Sequence, residues 1–88
     1  MRILITGICG FVGSRIAQTI REHLSGSTIF GIDNFSRTGA YLNKSLLESL
    51  GIQVFSGDIR LSSDVDALPP ADWVIDAAAN PSVLAGLQ

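Results

Sequence analysis

Three glycines stand near the start of the chain, at Gly7, Gly10 and Gly13, each separated from the next by two residues. They follow a short apolar run and precede a stretch with helical spacing, which predicts a turn between a strand and a helix. The first glycine permits a tight exit from the strand, the second lets backbone N–H groups approach a phosphate, and the third allows close packing of the helix. The spacing predicts a pyrophosphate site, with a tight turn of an ordinary α/β protein as the alternative.

The start of the predicted helix is suited to an anion. Its first turn carries no acidic residue, so the free N–H groups and the positive end of the helix dipole remain available. No Gly-Lys-Ser/Thr sequence follows the glycines, which excludes a kinase-type P-loop. The pattern therefore favours a dinucleotide.

A carboxylate follows at the spacing that a dinucleotide site requires. Asp33 ends the second predicted strand, about 20 residues after Gly13, where it can accept hydrogen bonds from an adenosine ribose and repel a 2′-phosphate. This arrangement favours NAD over NADP. Two alternatives stay open: Asp33-Asn34 is an ordinary turn pair, or Arg37 offsets the repulsion and admits NADP.

The elements that must position these residues alternate along the chain. Apolar runs predict strands at residues 3–5, 28–32, 52–55 and 73–79. An amphipathic pattern predicts a helix over residues 11–24, and a second helix ends at Gly51 with Leu42, Leu46, Leu47 and Leu50 as its apolar stripe. Residues 63–66 have the form of a capping box, and Asn80-Pro81 predicts the start of a further helix.

This order predicts an α/β fold with parallel strands and right-handed crossovers. We expect sheet order 3-2-1-4 in a partial doubly wound Rossmann domain. Residues 1–88 form one unit, which we interpret as the N-terminal half of a NAD-binding domain, with the catalytic and substrate-binding parts absent. The fourth strand would leave an open, apolar sheet edge, which predicts self-association.

Composition excludes several classes of protein. The 88 residues carry 6 Lys+Arg and 8 Asp+Glu, a net charge of −2, and the basic residues are scattered, so we expect no nucleic-acid partner. No run approaches the roughly 20 apolar residues of a membrane span, and no secretory signal pattern is present. The single Cys9 offers neither a disulfide nor a metal cluster. We expect a cytoplasmic protein without membrane association or a metal site.

Four segments resemble one known family. They are Thr6-Gly7-x-x-Gly10-Phe11-Val12-Gly13, Asp33-Asn34, Gly57-Asp58-Ile59-Arg60 and Ala77-Ala78-Ala79. Together they resemble the extended short-chain dehydrogenase/reductase family, the NAD-dependent epimerases and dehydratases of nucleotide sugars. Residues 33–39 with Asn43, and the segment Asn80-Pro81-Ser82-Val83, look most like the CDP-paratose/CDP-tyvelose 2-epimerase group.

The resemblance implies cofactor contacts from each segment. The residues implied to surround the pyrophosphate are Gly7, Gly10, Phe11, Val12 and Gly13. The residues implied to hold the adenosine ribose and its surroundings are Asp33, Asn34, Ser36 and Arg37. The residues implied to flank the adenine are Asp58 and Ile59. The residues implied to line the cofactor near the nicotinamide ribose are Ala77, Ala78 and Ala79. The implied activity is transient hydride transfer from a sugar hydroxyl, with the nucleotide sugar held by residues outside this chain.

Some residues depart from the family pattern. Asp76 stands where the family often has His, and in a buried strand it would need a partner. Cys9 replaces a small residue and is interpreted as a tolerated substitute. His23 is assigned to the end of the first helix, where its charge suits the dipole, and Trp73 is expected to cap the core.

The family's catalytic Tyr-x-x-x-Lys pair is missing from the chain. Its one tyrosine, Tyr41, precedes Lys44 by three residues in the wrong region, so both are interpreted as surface residues of a helix. No catalytic residue is therefore assigned, and catalysis would need residues beyond Gln88. Two alternatives stay open: a dinucleotide-sensing module without hydride chemistry, or a truncated fragment without independent activity.

Overall fold

Four strands and three helices alternate in the computed structural model, which describes residues 1–78. The strands are β1 (Arg2–Thr6), β2 (Thr28–Asp33), β3 (Gln53–Ser56) and β4 (Trp73–Asp76). The helices are α1 (Phe11–His23), α2 (Ala40–Ser49) and α3 (Ser62–Asp66). The predicted order is confirmed, but β4 ends earlier than predicted. Ala79 and the helix predicted from Asn80-Pro81 lie outside the described residues.

The strands form one parallel sheet in the order β3-β2-β1-β4, which confirms the predicted α/β fold and topology. In the register of the sheet, Ile5 of β1 pairs with Gly31 on one side and Ile75 on the other. The carboxyl ends of all four strands therefore meet at one edge, where doubly wound proteins bind their ligands.

β4 is an edge strand of the described sheet, with β1 as its neighbour. Trp73 and Val74 are each 62 % exposed. The prediction that Trp73 caps the core is therefore wrong, because its strand has a partner on one side alone and its ring stays in solvent. Self-association through this edge stays a prediction.

The core lies between the sheet and the helices α1 and α2. Strand residues such as Ile5 and Ile29 pack against Ala17 of α1 and Leu47 of α2. Of the stripe predicted for α2, Leu47 alone is buried, whereas Leu42 is 78 % exposed. The apolar face of α2 is narrower than predicted, because a helix of ten residues packs against the sheet with one narrow face.

The short helix α3 is not capped as predicted. Leu61 occupies its N-cap position, and no side chain bonds to the cap. Asp66, the carboxylate that the predicted capping box places three residues after Ser63, makes no cap. Asp64 accepts a hydrogen bond from the backbone N–H of Asp58 through its Oδ2 atom at 2.9 Å. No helix in residues 1–78 is long and apolar enough to cross a membrane.

Candidate functional site

The glycine turn begins where β1 ends and folds back on itself before α1. Gly7 has a φ of +65°, a conformation that favours glycine, and its N–H donates to the Ile32 carbonyl at 2.9 Å. The Gly10 N–H donates to the Gly7 carbonyl at 3.0 Å. A Cβ atom on Gly13 would overlap the Gly7 carbonyl oxygen. The close approach of α1 to the turn therefore requires glycine at this position.

The N-terminus of α1 opens toward solvent without a side-chain cap. Gly10 is the N-cap residue, so no side chain at this position caps the helix. The first turn contains no acidic residue. The first N–H groups of a helix have no carbonyl partner within it, so those of Phe11, Val12 and Gly13 are suited to an anion. Val12 is exposed at this position and does not join the core as its place in the amphipathic pattern predicted.

Asp33 ties the end of β2 to the glycine turn. Its Oδ2 atom accepts the backbone N–H of Cys9 at 2.9 Å, and its Oδ1 atom accepts the N–H of Phe35 at 2.8 Å. Each carboxylate oxygen keeps a further lone pair for a ligand. The half-buried carboxylate is thus fixed in place and still able to accept hydrogen bonds from a ribose.

The loop after β2 is ordered by local contacts. The side-chain oxygen of Asn34 accepts the Ser36 N–H at 3.0 Å, which forms an Asx turn. Phe35 has a φ of +58°, which is rare for a residue with a side chain, and its ring stacks on Tyr41 with centroids 4.7 Å apart. Tyr41 is exposed, as predicted for a surface helix residue, but it also supports this loop.

A third segment, after β3, contributes Asp58, Ile59 and Arg60. The Arg60 guanidinium contacts the Asp58 carboxylate, with Nη2 2.6 Å from Oδ2. Its side-chain hydrogen bonds lower the pKa of Asp58 to about 2. Arg60 stands in the Gly57-Asp58-Ile59-Arg60 segment, yet the sequence assigned it no role. The signal was its place two residues after a candidate ligand carboxylate.

Cys9 lies inside the glycine turn but does not face the cleft. The side chain is buried, and burial foremost, together with the nearby Asp33 carboxylate, raises the pKa of the thiol to about 12. The thiol is therefore protonated at neutral pH. Within residues 1–78, no group of three or more His, Cys, Asp or Glu side chains is placed to hold a metal ion.

Asp76, at the end of β4, has a different environment from the one predicted. It is exposed, not buried, because β4 is an edge strand that ends at this residue. Its Oδ1 atom accepts the Thr6 hydroxyl at 2.6 Å and the Ala78 N–H at 3.1 Å. These bonds hold the segment after β4 against the glycine turn, where a Cβ on Gly7 would lie 2.8 Å from the Ala78 Cα.

These segments enclose one open cleft of about 570 Å³ at the carboxyl edge of the sheet. The predicted residues that line it are Gly7, Gly10, Phe11, Val12, Asp33, Asn34, Ser36, Arg37, Asp58, Ile59, Ala77 and Ala78. Gly13 is buried beside the turn instead, and Ala79 lies outside the described residues. Ile32, Gly57 and Arg60 also line the cleft and were not predicted.

Comparison with known proteins finds sugar-nucleotide epimerases among the relatives of this chain. The model of the NAD dependent epimerase/dehydratase family matches residues 3–88. CDP-paratose 2-epimerase from Salmonella typhi is 44% identical over 69 residues, which are 77% of this chain and 20% of that protein. UDP-glucuronate 4-epimerase 1 from Arabidopsis thaliana is 38% identical over 62 residues, 66% of this chain and 14% of that protein. The chain thus spans a fifth or less of the length of these relatives.

Solved structures give the same result. UDP-glucuronic acid 4-epimerase from Bacillus cereus, in complex with UDP-glucuronic acid and NAD, superposes with a TM-score of 0.68 at 32% identity, over 88% of this chain and 26% of that one. A variant of that enzyme, bound to NAD and a fluorinated UDP-sugar, gives a TM-score of 0.76 at 30% identity with the same coverage. The resemblance seen in the motifs is confirmed, and the chain belongs to the NAD-dependent epimerase/dehydratase family.

Proposed function

We propose that this chain provides the NAD-binding part of a nucleotide-sugar epimerase or dehydratase. One observation carries the proposal: the uncapped N-terminus of α1 and the Asp33 carboxylate face the same cleft. The relatives from Bacillus cereus, whose structures contain NAD, support the same ligand. The cleft volume of about 570 Å³ lies within the roughly 300–1,000 Å³ range of small-molecule sites.

The residues of the cleft fit the parts of a dinucleotide. The pyrophosphate would lie against the N–H groups of Phe11, Val12 and Gly13, where the turn has no room for additional side chains at Gly7 or Gly13. Asp33 would accept the adenosine ribose hydroxyls, and Asp58 with Ile59 would flank the adenine. Bound NAD supplies a hydride acceptor for oxidation at a sugar hydroxyl. The chain's own residues bind and orient it.

The geometry of Asp33 favours NAD over NADP. Two backbone N–H groups hold the carboxylate, so it cannot turn away from a 2′-phosphate without breaking hydrogen bonds to Cys9 and Phe35. Arg37 lines the cleft but is exposed, and a solvated guanidinium offsets little of the repulsion. We therefore expect the 2′-hydroxyl form to bind more tightly.

The acid and base groups of the reaction are proposed to lie outside the described residues. The Tyr41 ring stacks on Phe35, and the Lys44 Nζ atom lies 3.9 Å from Glu48 Oε2. Neither side chain lines the cleft. The sugar substrate is proposed to be a nucleotide sugar, in keeping with the CDP- and UDP-sugar names of the relatives. A cytoplasmic location is part of the proposal, since a reducing compartment preserves a free thiol such as Cys9.

Calorimetric titration of the purified protein that carries this sequence tests the proposal. We expect NAD to bind, NADP to bind about tenfold more weakly, and Gly10→Val to abolish NAD binding by placing a branched side chain in the turn. Gly26→Ala is the matched control, because a Cβ there would meet no atom within 4 Å. Absence of NAD binding to folded protein would overturn the proposal. Binding without turnover of any CDP- or UDP-sugar would favour the sensing module.

A further inference from the structure

The peptide groups on both sides of Cys9 are held by side chains from other elements. The Cys9 N–H donates to Asp33 Oδ2 at 2.9 Å. The Cys9 carbonyl accepts a hydrogen bond from the Nδ2 atom of Asn43 at 2.7 Å. Asn43 belongs to α2, is half-buried, and does not line the cleft. It therefore reaches the glycine turn from behind.

We propose that Asn43 is a positioning residue, which holds the glycine turn in the conformation that receives the pyrophosphate. The proposal rests on the proposed function for its ligand. The Cys9 carbonyl and the Gly10 N–H belong to one peptide plane. The Asn43 side-chain amide donates to the Cys9 carbonyl at one end of this plane. The Gly10 N–H at the other end donates to the Gly7 carbonyl at 3.0 Å. Together with Asp33, these contacts fix two consecutive peptide planes between Ile8 and Gly10.

A glycine turn needs such contacts because its own backbone is permissive. Gly7 and Gly10 have wide conformational freedom, so a turn without external partners would lose entropy when it orders around a phosphate. The Asn43 amide supplies a contact before the ligand arrives. The contact requires the amide of asparagine at position 43. An aspartate has the same shape but places an acceptor oxygen against the Cys9 carbonyl, which removes the hydrogen bond and adds repulsion.

The positioning role predicts a change that depends on the ligand. In an Asn43→Asp variant, we expect affinity for NAD and ADP-ribose to fall about tenfold, the loss of one hydrogen bond to the turn. Affinity for adenosine should stay within about twofold, because adenosine lacks the pyrophosphate and its proposed contacts with Asp33 and Asp58 remain. Ser45→Ala, an exposed position on the same helix, is the matched control and should change neither affinity.

Amide hydrogen exchange without ligand tests the same role independently of NAD. We expect Asn43→Asp to accelerate exchange at the amides of Cys9 and Gly10 about tenfold and to leave the β1 amides unchanged. If Asn43→Asp does not fold, Asn43→Ala gives the same comparison without the added repulsion. Unchanged exchange in the turn, or equal losses of NAD and adenosine affinity, would overturn the positioning role. Failure of the unaltered protein to bind NAD would overturn the proposed function, while the exchange comparison would still decide the role of Asn43.

Discussion

Asp33 and Cys9 are 24 residues apart in sequence, and the Asp33 Oδ2 atom accepts the Cys9 N–H at 2.9 Å. This bond joins the end of β2 to the glycine turn that follows β1. The carboxylate expected to hold a ribose therefore also shapes the turn expected to hold the pyrophosphate. Changes at Asp33 should affect stability as well as affinity.

Asp33→Asn tests this double role. The amide oxygen can accept one of the two backbone N–H groups, but the amide nitrogen would face the other as a second donor. We expect the free energy of unfolding to fall by about 1–3 kcal/mol and NAD affinity to fall with it. Urea denaturation measures the first effect and calorimetry the second. Asp66→Asn, at an exposed position of α3, is the control, and equal stability of the two variants would contradict the account.

Gly13→Ala tests the close contact between α1 and the glycine turn. The added Cβ would overlap the Gly7 carbonyl oxygen, which is backbone and cannot rotate away. We expect the free energy of unfolding to fall by about 1–3 kcal/mol. The melting temperature, measured by circular dichroism, should fall with it. The free energy of unfolding of Gly26→Ala should lie within about 0.5 kcal/mol of that of the unaltered protein, because a Cβ at that position would meet no neighbouring atom. A Gly13→Ala variant as stable as Gly26→Ala would show that the turn is looser than described.

The buried Cys9 thiol should react slowly. With its pKa raised to about 12 by burial, the thiolate fraction at pH 8 is roughly a thousandfold below that of an ordinary thiol. We expect alkylation in native buffer to be slower than in denaturant by about that factor, as followed by mass spectrometry. Equal rates would place the thiol in solvent.

The Asp58–Arg60 pair gives a pH-dependent prediction. The Asp58 pKa is lowered to about 2 in the folded protein. The pair therefore contributes stability above the unfolded pKa near 4 that is lost as pH falls toward 2. Arg60→Gln should raise the Asp58 pKa toward its ordinary value, observed by carboxyl-carbon NMR.

The stability difference between Arg60→Gln and the unaltered protein should be present at pH 5, shrink as pH falls from 4 toward 2, and be lost below the folded pKa of about 2. Because the pair is exposed, the difference should shrink in high salt. A salt-independent difference that does not shrink between pH 5 and pH 2 would assign it to packing of the Arg60 side chain instead.

Local patterns were sufficient to predict the fold. The glycine turn, the strand ending at Asp33 and the apolar runs each depend on residues near one another in sequence, and their alternation permits few topologies. The sheet order 3-2-1-4 follows from that alternation and is confirmed. The gathering of the predicted segments at one cleft follows from the same rule, since parallel strands end at one edge.

Contacts between distant segments were not predictable from local pattern. Asn43 reaches Cys9 across 34 residues, and nothing in the composition of α2 signals that bond. The spacing of Ser63 and Asp66 fits a capping box, but the helix has Leu61 at its N-cap, and Asp64 accepts the Asp58 N–H from the preceding loop. The apolar sequence of β4 predicts a buried Asp76, whereas its place in an edge strand leaves the residue exposed.

NMR titration of ¹⁵N-labelled protein with NAD shows directly where on the chain the dinucleotide binds. We expect saturable chemical-shift changes of backbone amides in residues 7–13 and 33–37, which border the cleft. The amides of Gln18 and Glu22, on the opposite part of α1, should stay unchanged and serve as an internal control. Shifts confined to those α1 residues, or no shifts in a folded protein at millimolar NAD, would contradict the assignment of this cleft to the dinucleotide.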